Sequence, residues 1–160
     1  MRVPLIVRDP SSLADVTRGQ HLDGFVESID HAPTILEYLG VPIPDRFQGT
    51  SVLNRVWGSQ DNKTEIHYEK DISGEVANIV SDPDLRLLWV IRDNDYKYVQ
   101  FASEKIPPLL FDLRNDPDEY QNLANDPAYM PTVLIYCQKL LRWRMKHEDQ
   151  RMAHWYEAHS

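Results

Sequence analysis

One stretch, residues 25–42, carries the strongest local folding signals of this chain. It reads Phe-Val-Glu-Ser-Ile-Asp-His-Ala-Pro-Thr-Ile-Leu-Glu-Tyr-Leu-Gly-Val-Pro. Its first five residues favour an extended segment, and Asp30 is of a type that caps helices through its carboxylate. Pro33 falls in the first helical turn, where its missing N–H is not needed. Gly40 supplies the left-handed residue that ends a helix. The stretch predicts a short strand, a turn and a helix.

The pair Asp30-His31 within this stretch has two interpretations. A carboxylate beside an imidazole suggests a metal site or an acid/base site. Alternatively, Asp30 caps the helix and His31 merely follows it. We favour the helix start, because Pro33 and Gly40 fit the same helix. Neither residue is therefore assigned a catalytic or metal-binding role.

Composition and charge exclude several classes of function. The chain has 160 residues, a net charge of −8 and one cysteine, Cys137. The negative charge argues against nucleic acid as a partner, because phosphate binding needs clustered Lys and Arg. A single cysteine excludes an internal disulfide and gives no zinc or redox pattern. No apolar run reaches membrane-spanning length, so we expect no membrane partner. The compartment stays open, with the cytoplasm favoured and the periplasm or secretion as alternatives.

The first residues predict a strand from a parallel sheet. Val3 to Val7 form a nearly continuous apolar run, which is typical of strands that are covered on both faces. A natural domain rarely opens inside its core. We therefore expect residues 1–58 to be the C-terminal end of a larger α/β domain, with further chain before Met1.

The hydrophobic pattern changes near residue 58, and residues 59–160 predict a small second domain with an antiparallel sheet. Asp93-Asn94-Asp95 separates two β-type runs and predicts a tight hairpin turn. A terminal helix at about 133–146 is expected to pack on this sheet. The predicted strands are 65–69, 75–80, 85–92, 96–101 and 109–113.

Two Asp-Pro steps predict helix starts before the terminal helix. Asp116 would cap with Glu119 completing a capping box, and Asp126 would cap the next helix. In the terminal helix, an apolar stripe is expected to face the core and to bury Cys137 as an inert thiol. Its members are residues 133, 134, 137, 140, 141 and 145. The segment after 147 carries Met152, Trp155 and Tyr156 and is expected to contact another subunit.

Few side chains are arranged for chemistry. His67 and Glu69 lie on one face of a predicted strand and are the best polar pair, although a solvated sheet face explains them too. A small metalloprotein that uses His147, His154 and His159 is a further alternative, but these residues lack the His-Glu-x-x-His spacing. The sequence thus gives no catalytic and no metal-ligating residue.

A series of motifs resembles the later part of type I sulfatases, which belong to the alkaline phosphatase superfamily. The last motif of the series contains Asp116, Glu119 and Asn122, and residues 142–149 look closest to the phosphonate monoester hydrolase branch. The motifs are Arg2-Val-Pro-Leu-Ile-Val-Arg8, Val26-x-Ser-Ile-Asp-x-Ala-Pro-Thr34, Leu39-Gly-Val41, Gln48-Gly-x-Ser51, Tyr96-Lys-Tyr98 and Leu110-Phe-Asp-Leu-x-Asn-Asp-Pro-x-Glu-x-x-Asn-Leu123.

The resemblance implies a hydrolase of small sulfate or phosphonate esters. It also implies one divalent cation (Ca, Mg or Mn) and a formylglycine made from the cysteine of a Cys-x-Pro-x-Arg motif. Cys137-Gln-Lys-Leu-Leu does not match that motif, and the family's metal ligands belong before Arg2. The chain alone is therefore expected to be inactive. Its expected partners are the catalytic portion of the same protein and further copies in a homo-oligomer, with His67 and Glu69 at the rim of the substrate cleft.

Another class of function stays open. The chain could be a free-standing binding or assembly module that shares the family's C-terminal shape without its catalysis. The reading frame upstream of Met1 distinguishes the two hypotheses. A Cys-x-Pro-x-Arg motif in frame indicates an enzyme, and a stop codon immediately before Met1 indicates a module.

Overall fold

The computed structural model describes residues 4–60, 63–71 and 83–147. The chain divides into two compact units, Met1–Ile66 and His67–Ser160. The sequence-based boundary at 58/59 stays a prediction. Among the described residues, no helix has the length and apolar character to cross a membrane. The helices are α1 (His31–Tyr38), α2 (Leu53–Val56) and α3 (Met130–His147), and the strands are β1 (Ile66–Asp71), β2 (Leu87–Arg92), β3 (Tyr96–Phe101) and β4 (Leu109–Asp112).

Helix α1 belongs to the first unit, and its start and its end are stabilised in different ways. A short 3-10 helix, Ser28–Asp30, leads directly into it. The Asp30 carboxylate makes no capping bond to α1, so the predicted cap is wrong. It turns back instead and accepts the N–H of Glu27 at 2.8 Å. At the other end, Gly40 has φ +68°, and the N–H of Val41 reaches the carbonyl of Leu36 at 2.9 Å. This is the left-handed helix end that only a residue without Cβ adopts at little cost.

The predicted first strand does not form. Residues 4–10 have no regular structure, and Leu5, Ile6 and Val7 are 43%, 88% and 42% exposed. A strand needs a neighbour to satisfy its backbone N–H and C=O groups. Within the described residues no strand runs beside this segment. The extended segment before α1 likewise makes a single bridge, from Phe25 to Lys63.

The second unit contains the antiparallel sheet that the sequence predicts, in the order β1-β2-β3-β4. The β2–β3 hairpin turns at Asp93, whose Oδ1 accepts the N–H groups of Asp95 and Tyr96 at 2.9 Å each. The carboxylate thereby replaces a strand partner at the turn, as Asx residues do. The α+β class and the hairpin are confirmed. The predicted strand at 75–80 lies outside the described residues.

The core of the second unit lies between the sheet and α3, and the sheet covers only part of the predicted stripe: Leu140 is buried and Val133 packs against the core, whereas other members are exposed. Tyr136 and Leu140 are buried against β2, β3 and β4. Leu134 and Leu141 are 58% and 56% exposed, and Cys137 is exposed. The prediction of a buried thiol is therefore wrong. Apolar residues cover more than half of the helix circumference, so periodicity alone did not define which arc the sheet would cover. The strand residues of this core are Ile91, Tyr98 and Leu110.

The segment after β4 is a turn instead of the predicted helix. Glu119 has φ +60°, which no helix accommodates, so the capping-box prediction is wrong. Asp116 stabilises the turn instead of a helix, because its Oδ2 accepts the N–H of Gln121 at 2.8 Å. Asp126 accepts the N–H of Ala128 at 2.9 Å and begins the 3-10 helix that leads into α3, as predicted.

Candidate functional site

Asp30 is the centre of a buried polar cluster in the first unit. Its side chain is only 1% exposed, and both of its carboxylate oxygens accept hydrogen bonds. Oδ1 accepts the N–H of Thr50 at 2.8 Å and the Lys63 ammonium at 2.8 Å, and Oδ2 accepts the N–H of Glu27 and the same ammonium. Lys63 also pairs with the Glu27 carboxylate at 2.6 Å. A buried charge needs such pairing, so this carboxylate is a structural anchor.

A glycine allows a distant loop to reach this anchor. A Cβ placed on Gly49 would lie 2.0 Å from the carbonyl oxygen of Ile29, so no other residue fits there without moving the backbone. The close approach brings the Thr50 N–H to Asp30. Thr34 adds a second link, because its Oγ1 donates to the Asp30 carbonyl at 2.6 Å and accepts the N–H of Val52 at 3.1 Å. The motif residues of 26–34 and 48–51 thus come together to hold one loop.

The structure does not join Asp30 and His31 into an acid/base pair. Within the described part of the chain, the hydrogen bonds to the Asp30 carboxylate come from Lys63 and from the backbone N–H groups of Glu27 and Thr50, whereas His31 is exposed. The His31 side chain instead lines an open apolar groove of about 410 Å³ beside α1. Pro33, which the sequence placed in the first turn, is fully buried there. The groove is lined by Leu5, Ile6, Val7, Arg8, Asp9, His31, Thr34, Ile35, Tyr38, Leu39, Val52 and Leu53.

Asp9 and Trp57 form a polar contact that the sequence did not indicate. Asp9 is buried at the groove and accepts the indole N–H of Trp57 at 2.8 Å and the N–H of Ser11 at 2.8 Å. The Trp57 bond and then the Ser11 bonds lower the pKa of Asp9 in spite of its burial. Asp9 and Trp57 lie 48 positions apart and Asp30 and Lys63 lie 33 positions apart, so no local sequence pattern indicates either pair.

His67 and Glu69 both lie against α3. The His67 ring stacks on Trp143 with centroids 4.6 Å apart and an interplanar angle of 7°. Glu69 pairs with Arg144 at 2.8 Å. The two side chains therefore share one face of β1, as their spacing predicts, and that face meets the helix. Their assignment to a cleft rim stays a prediction.

The signature after β4 is held to the sheet by two side chains. Glu119 accepts a hydrogen bond from the Lys97 ammonium and lies 3.9 Å from Arg92. Asn122 bonds three ways: Oδ1 accepts the N–H groups of Leu110 and Ala124 at 3.0 Å each, and Nδ2 donates to the Pro108 carbonyl at 3.3 Å. These residues of the motif are therefore structural, and they hold β4 and the loop that follows it.

The described residues do not fit the divalent cation or the formylglycine that the resemblance implies. Within residues 4–60, 63–71 and 83–147, no three His, Cys, Asp or Glu side chains are grouped to hold a metal ion. His147 bonds to the Trp143 carbonyl, while His154 and His159 lie outside the described residues. Cys137 is exposed on α3 in a sequence that differs from the family's nucleophile motif. No chemical step is therefore assigned to this chain's side chains.

Comparison with known proteins gives this arrangement a context. Residues 1–146 match the family model described as N-sulphoglucosamine sulphohydrolase, C-terminal. The multifunctional alkaline phosphatase superfamily protein PehA of Trinickia caryophylli is 43% identical over 96% of this chain and 30% of its own length. Arylsulfatase K of Xenopus laevis is 32% identical over 88% of this chain and 25% of its own length.

A solved structure has a similar fold. Phosphonate monoester hydrolase of Agrobacterium radiobacter superimposes with a TM-score of 0.70 at 34% identity, over 84% of this chain and 28% of that chain. The chain thus spans less than a third of the length of these relatives. The fold and motifs are those of the C-terminal portion of sulfatases of the alkaline phosphatase superfamily. Within that class, the chain belongs to the N-sulphoglucosamine sulphohydrolase C-terminal family.

Proposed function

We propose that this chain completes the fold of an enzyme that hydrolyses a small sulfate or phosphonate ester, and that it contributes shape instead of reacting groups. The observation that carries this proposal is the groove beside α1. Ile6 is 88% exposed, Leu39 64% and Ile35 58%. Such a concentration of exposed apolar side chains indicates a surface that another part of a protein covers.

The reaction class follows from the relatives. Their names include arylsulfatase and phosphonate monoester hydrolase, so the whole protein is proposed to cleave a sulfuric or phosphonic ester bond. In this proposal the divalent cation and the formylglycine are supplied by chain outside these 160 residues. The cation would stabilise charge on the transferring group, and the hydrated aldehyde would act as nucleophile.

His67 and Glu69 keep a place in the proposal as the rim of the substrate cleft. Trp143 already contacts His67, and Arg144 already contacts Glu69. His67 and Glu69 would therefore contribute by fixing the position of β1 near the cleft. Exchange of either residue should then change KM more than kcat. An unchanged KM in His67→Ala and Glu69→Ala would contradict the rim assignment.

A pair of assays tests the main proposal. The 160-residue chain, supplied with Ca²⁺, Mg²⁺ or Mn²⁺, should not turn over p-nitrophenyl sulfate or a p-nitrophenyl phosphonate monoester. The protein extended upstream in its natural reading frame should turn over at least one of them. Turnover by the 160-residue chain that survives repurification would contradict the proposal. A stop codon directly upstream of Met1 would favour the free-standing module instead.

A further inference from the structure

Two basic side chains lie next to each other on the face of the sheet that is turned away from α3. Arg92 of β2 is directly opposite Lys97 of β3, and Lys97 is opposite Phe111 of β4. Opposed residues of an antiparallel pair have their side chains on one face. Ile91, the neighbour of Arg92, packs in the core that contains α3. Because successive strand residues alternate between faces, Arg92 and Lys97 lie on the other one.

A single carboxylate, that of Glu119, faces both cations. It accepts a hydrogen bond from the Lys97 ammonium. Its Oε1 is 3.9 Å from Nη1 of Arg92, which is beyond hydrogen-bond distance. Like charges directly opposite each other in a sheet repel, and one carboxylate balances only one of the two cations. These three side chains therefore carry a net positive charge on a chain whose net charge is −8.

The Arg92 guanidinium has hydrogen-bond donors that no acceptor uses. In the part of the chain that the structure describes, its Nε is covered and has no hydrogen-bond partner. A covered charged donor without an acceptor costs free energy. The Arg92 side chain as a whole is still 33% exposed, so it can be reached from solvent. The planar fork of a guanidinium matches two oxygens of a sulfate or phosphate group.

The surroundings of the two cations are apolar. Val90 and Val99 lie on the same face, two residues from Arg92 and Lys97, and are 1% and 5% exposed. The Lys97 ammonium is also 5.7 Å from the centre of the Phe111 ring. Buried apolar groups lower the effective dielectric constant, so the attraction between these cations and an anion is stronger than it is in water.

Glu119 occupies its position with a strained backbone. Its φ is +60°, a conformation that costs free energy for a residue with a side chain. Strain of this kind persists where surrounding contacts impose it, and it clusters at ligand sites and switches. The ion pair with Lys97 is one such contact. An anion that took the place of the Glu119 carboxylate would break this pair and let the backbone relax.

We propose that Arg92 and Lys97 form a binding site for a tetrahedral oxyanion, either sulfate or phosphate. The Glu119 carboxylate is the internal competitor, which pairs with Lys97 when no anion is bound. Binding of the anion between the two cations releases Glu119 and the turn that carries it. The site involves no covalent step and is independent of the catalytic activity proposed above.

Calorimetric titration of the intact native protein with sodium sulfate and with sodium phosphate, at constant ionic strength, tests the site. Arg92→Gln should abolish the binding of one anion and leave any anion at the catalytic centre unaffected. Glu119→Gln removes the competitor and should tighten the same binding at least about tenfold. Arg92→Lys keeps the charge but loses the fork, so it should bind more weakly than the native protein.

Arg114→Gln is the matched control. Arg114 pairs with Asp95 at 2.5 Å, and its side chain is 71% exposed. Removal of this arginine changes the net charge of the chain by the same amount as Arg92→Gln. It should leave the affinity for both anions unchanged, because Arg114 is not part of the site.

Selenate locates the anion. It is a tetrahedral oxyanion like sulfate, and its selenium atom gives an anomalous X-ray signal. Crystals of the native protein and of Glu119→Gln, soaked in sodium selenate, should both show an anomalous peak between the side chains of Arg92 and Lys97. The peak should be stronger in Glu119→Gln and absent in Arg92→Gln.

Binding of either anion that is lost in Arg92→Gln and retained in Arg114→Gln supports the proposal, and the anion that binds more tightly is then the ligand. Three results would overturn it. The first is equal anion binding by the native protein and Arg92→Gln. The second is a native protein that binds neither anion at this site at about 10 mM, even if Glu119→Gln does. The third is an anomalous peak that lies elsewhere only.

Discussion

At the scale of single residues, the carboxylates of Asp30 and Asp93 each join segments that lie far apart in the sequence. Asp30 has no exposed side-chain surface beyond 1% and depends on Lys63, which lies 33 positions further along the chain. Asp93 similarly joins a hairpin turn to α3 through Tyr136. Such groups are costly to leave unpaired, so substitutions at their partners have large and predictable effects.

Removal of the Lys63 ammonium should destabilise the first unit. Lys63→Met leaves the Asp30 charge buried without its counter-ion, and we expect a loss of about 3 kcal/mol in the free energy of unfolding. Denaturant titration of the protein measures this loss. Asp15→Asn is the control, because the Asp15–Arg18 pair is exposed and is expected to contribute less than about 1 kcal/mol. Equal effects of the two substitutions would contradict the anchor role of Asp30.

Asp93 should make stability depend on pH. Burial raises the pKa of Asp93, but hydrogen bonds from Tyr136, Tyr96 and Asp95 and the charge of Lys139 outweigh burial and hold that pKa below its ordinary value of 3.8. The stabilisation is therefore present above pH 3.8 and is lost as the pH falls below it through the folded-state pKa.

Asp93→Asn should consequently lower the free energy of unfolding at pH 7 and make it less sensitive to acid. The comparison is the change in that free energy between pH 7 and pH 3 for the native protein and the variant. The native protein should lose more. Parallel curves would show that Asp93 titrates normally.

At the scale of elements, the C-terminal signature acts by holding β4 in place. The N–H of Leu110, a fully buried residue, has Asn122 as its partner. A buried N–H without a partner costs about 1–3 kcal/mol. The motif residues thus bind the segment after β4 to that strand through hydrogen bonds, and the segment itself is not helical.

Asn122→Ala should therefore destabilise the second unit by about 2 kcal/mol, because it removes three hydrogen bonds and leaves the Leu110 N–H unpaired. Asn122→Asp keeps the acceptor for Leu110 and Ala124 and loses only the bond to Pro108. Its loss should be clearly smaller. Thermal or denaturant unfolding measures the stability of both variants. An Asp variant as unstable as the Ala variant would contradict the role of Asn122 in holding β4 through its Oδ1.

At the scale of the whole molecule, the groove beside α1 makes opposite predictions for the isolated chain and for a longer protein. Ile6→Glu should reduce self-association of the 160-residue chain, because it removes exposed apolar surface. In the protein extended upstream, the same substitution should destabilise by several kcal/mol, because the charge is then buried. Leu13→Glu, at an exposed residue outside the groove, should do neither.

Gel filtration of the isolated chain and denaturation of the extended protein give the two readings. If Ile6→Glu leaves the extended protein as stable as Leu13→Glu does, the groove is not a covered surface. The proposed role in completing the fold would then lose its support.

Local signals account for what the sequence predicted correctly. The β2–β3 hairpin follows from two β-type runs around an Asx turn, and the end of α1 follows from Gly40, because each depends on residues within a few positions. The wrong sequence-based predictions concern features that depend on distant parts of the chain. Whether residues 3–7 form a strand depends on a neighbouring strand, and which arc of α3 is buried depends on the sheet it meets.

The amino-acid sequence by itself determined the family, the antiparallel sheet and the helix boundaries near Asp126 and Gly40, because these depend on motif order and on local chain chemistry. The tertiary structure alone decided that Asp30 pairs with Lys63 and that Leu134 and Leu141 of α3 are exposed. These features join residues distant in the sequence or select one of two apolar faces. Such a choice is made by packing, which no single segment encodes.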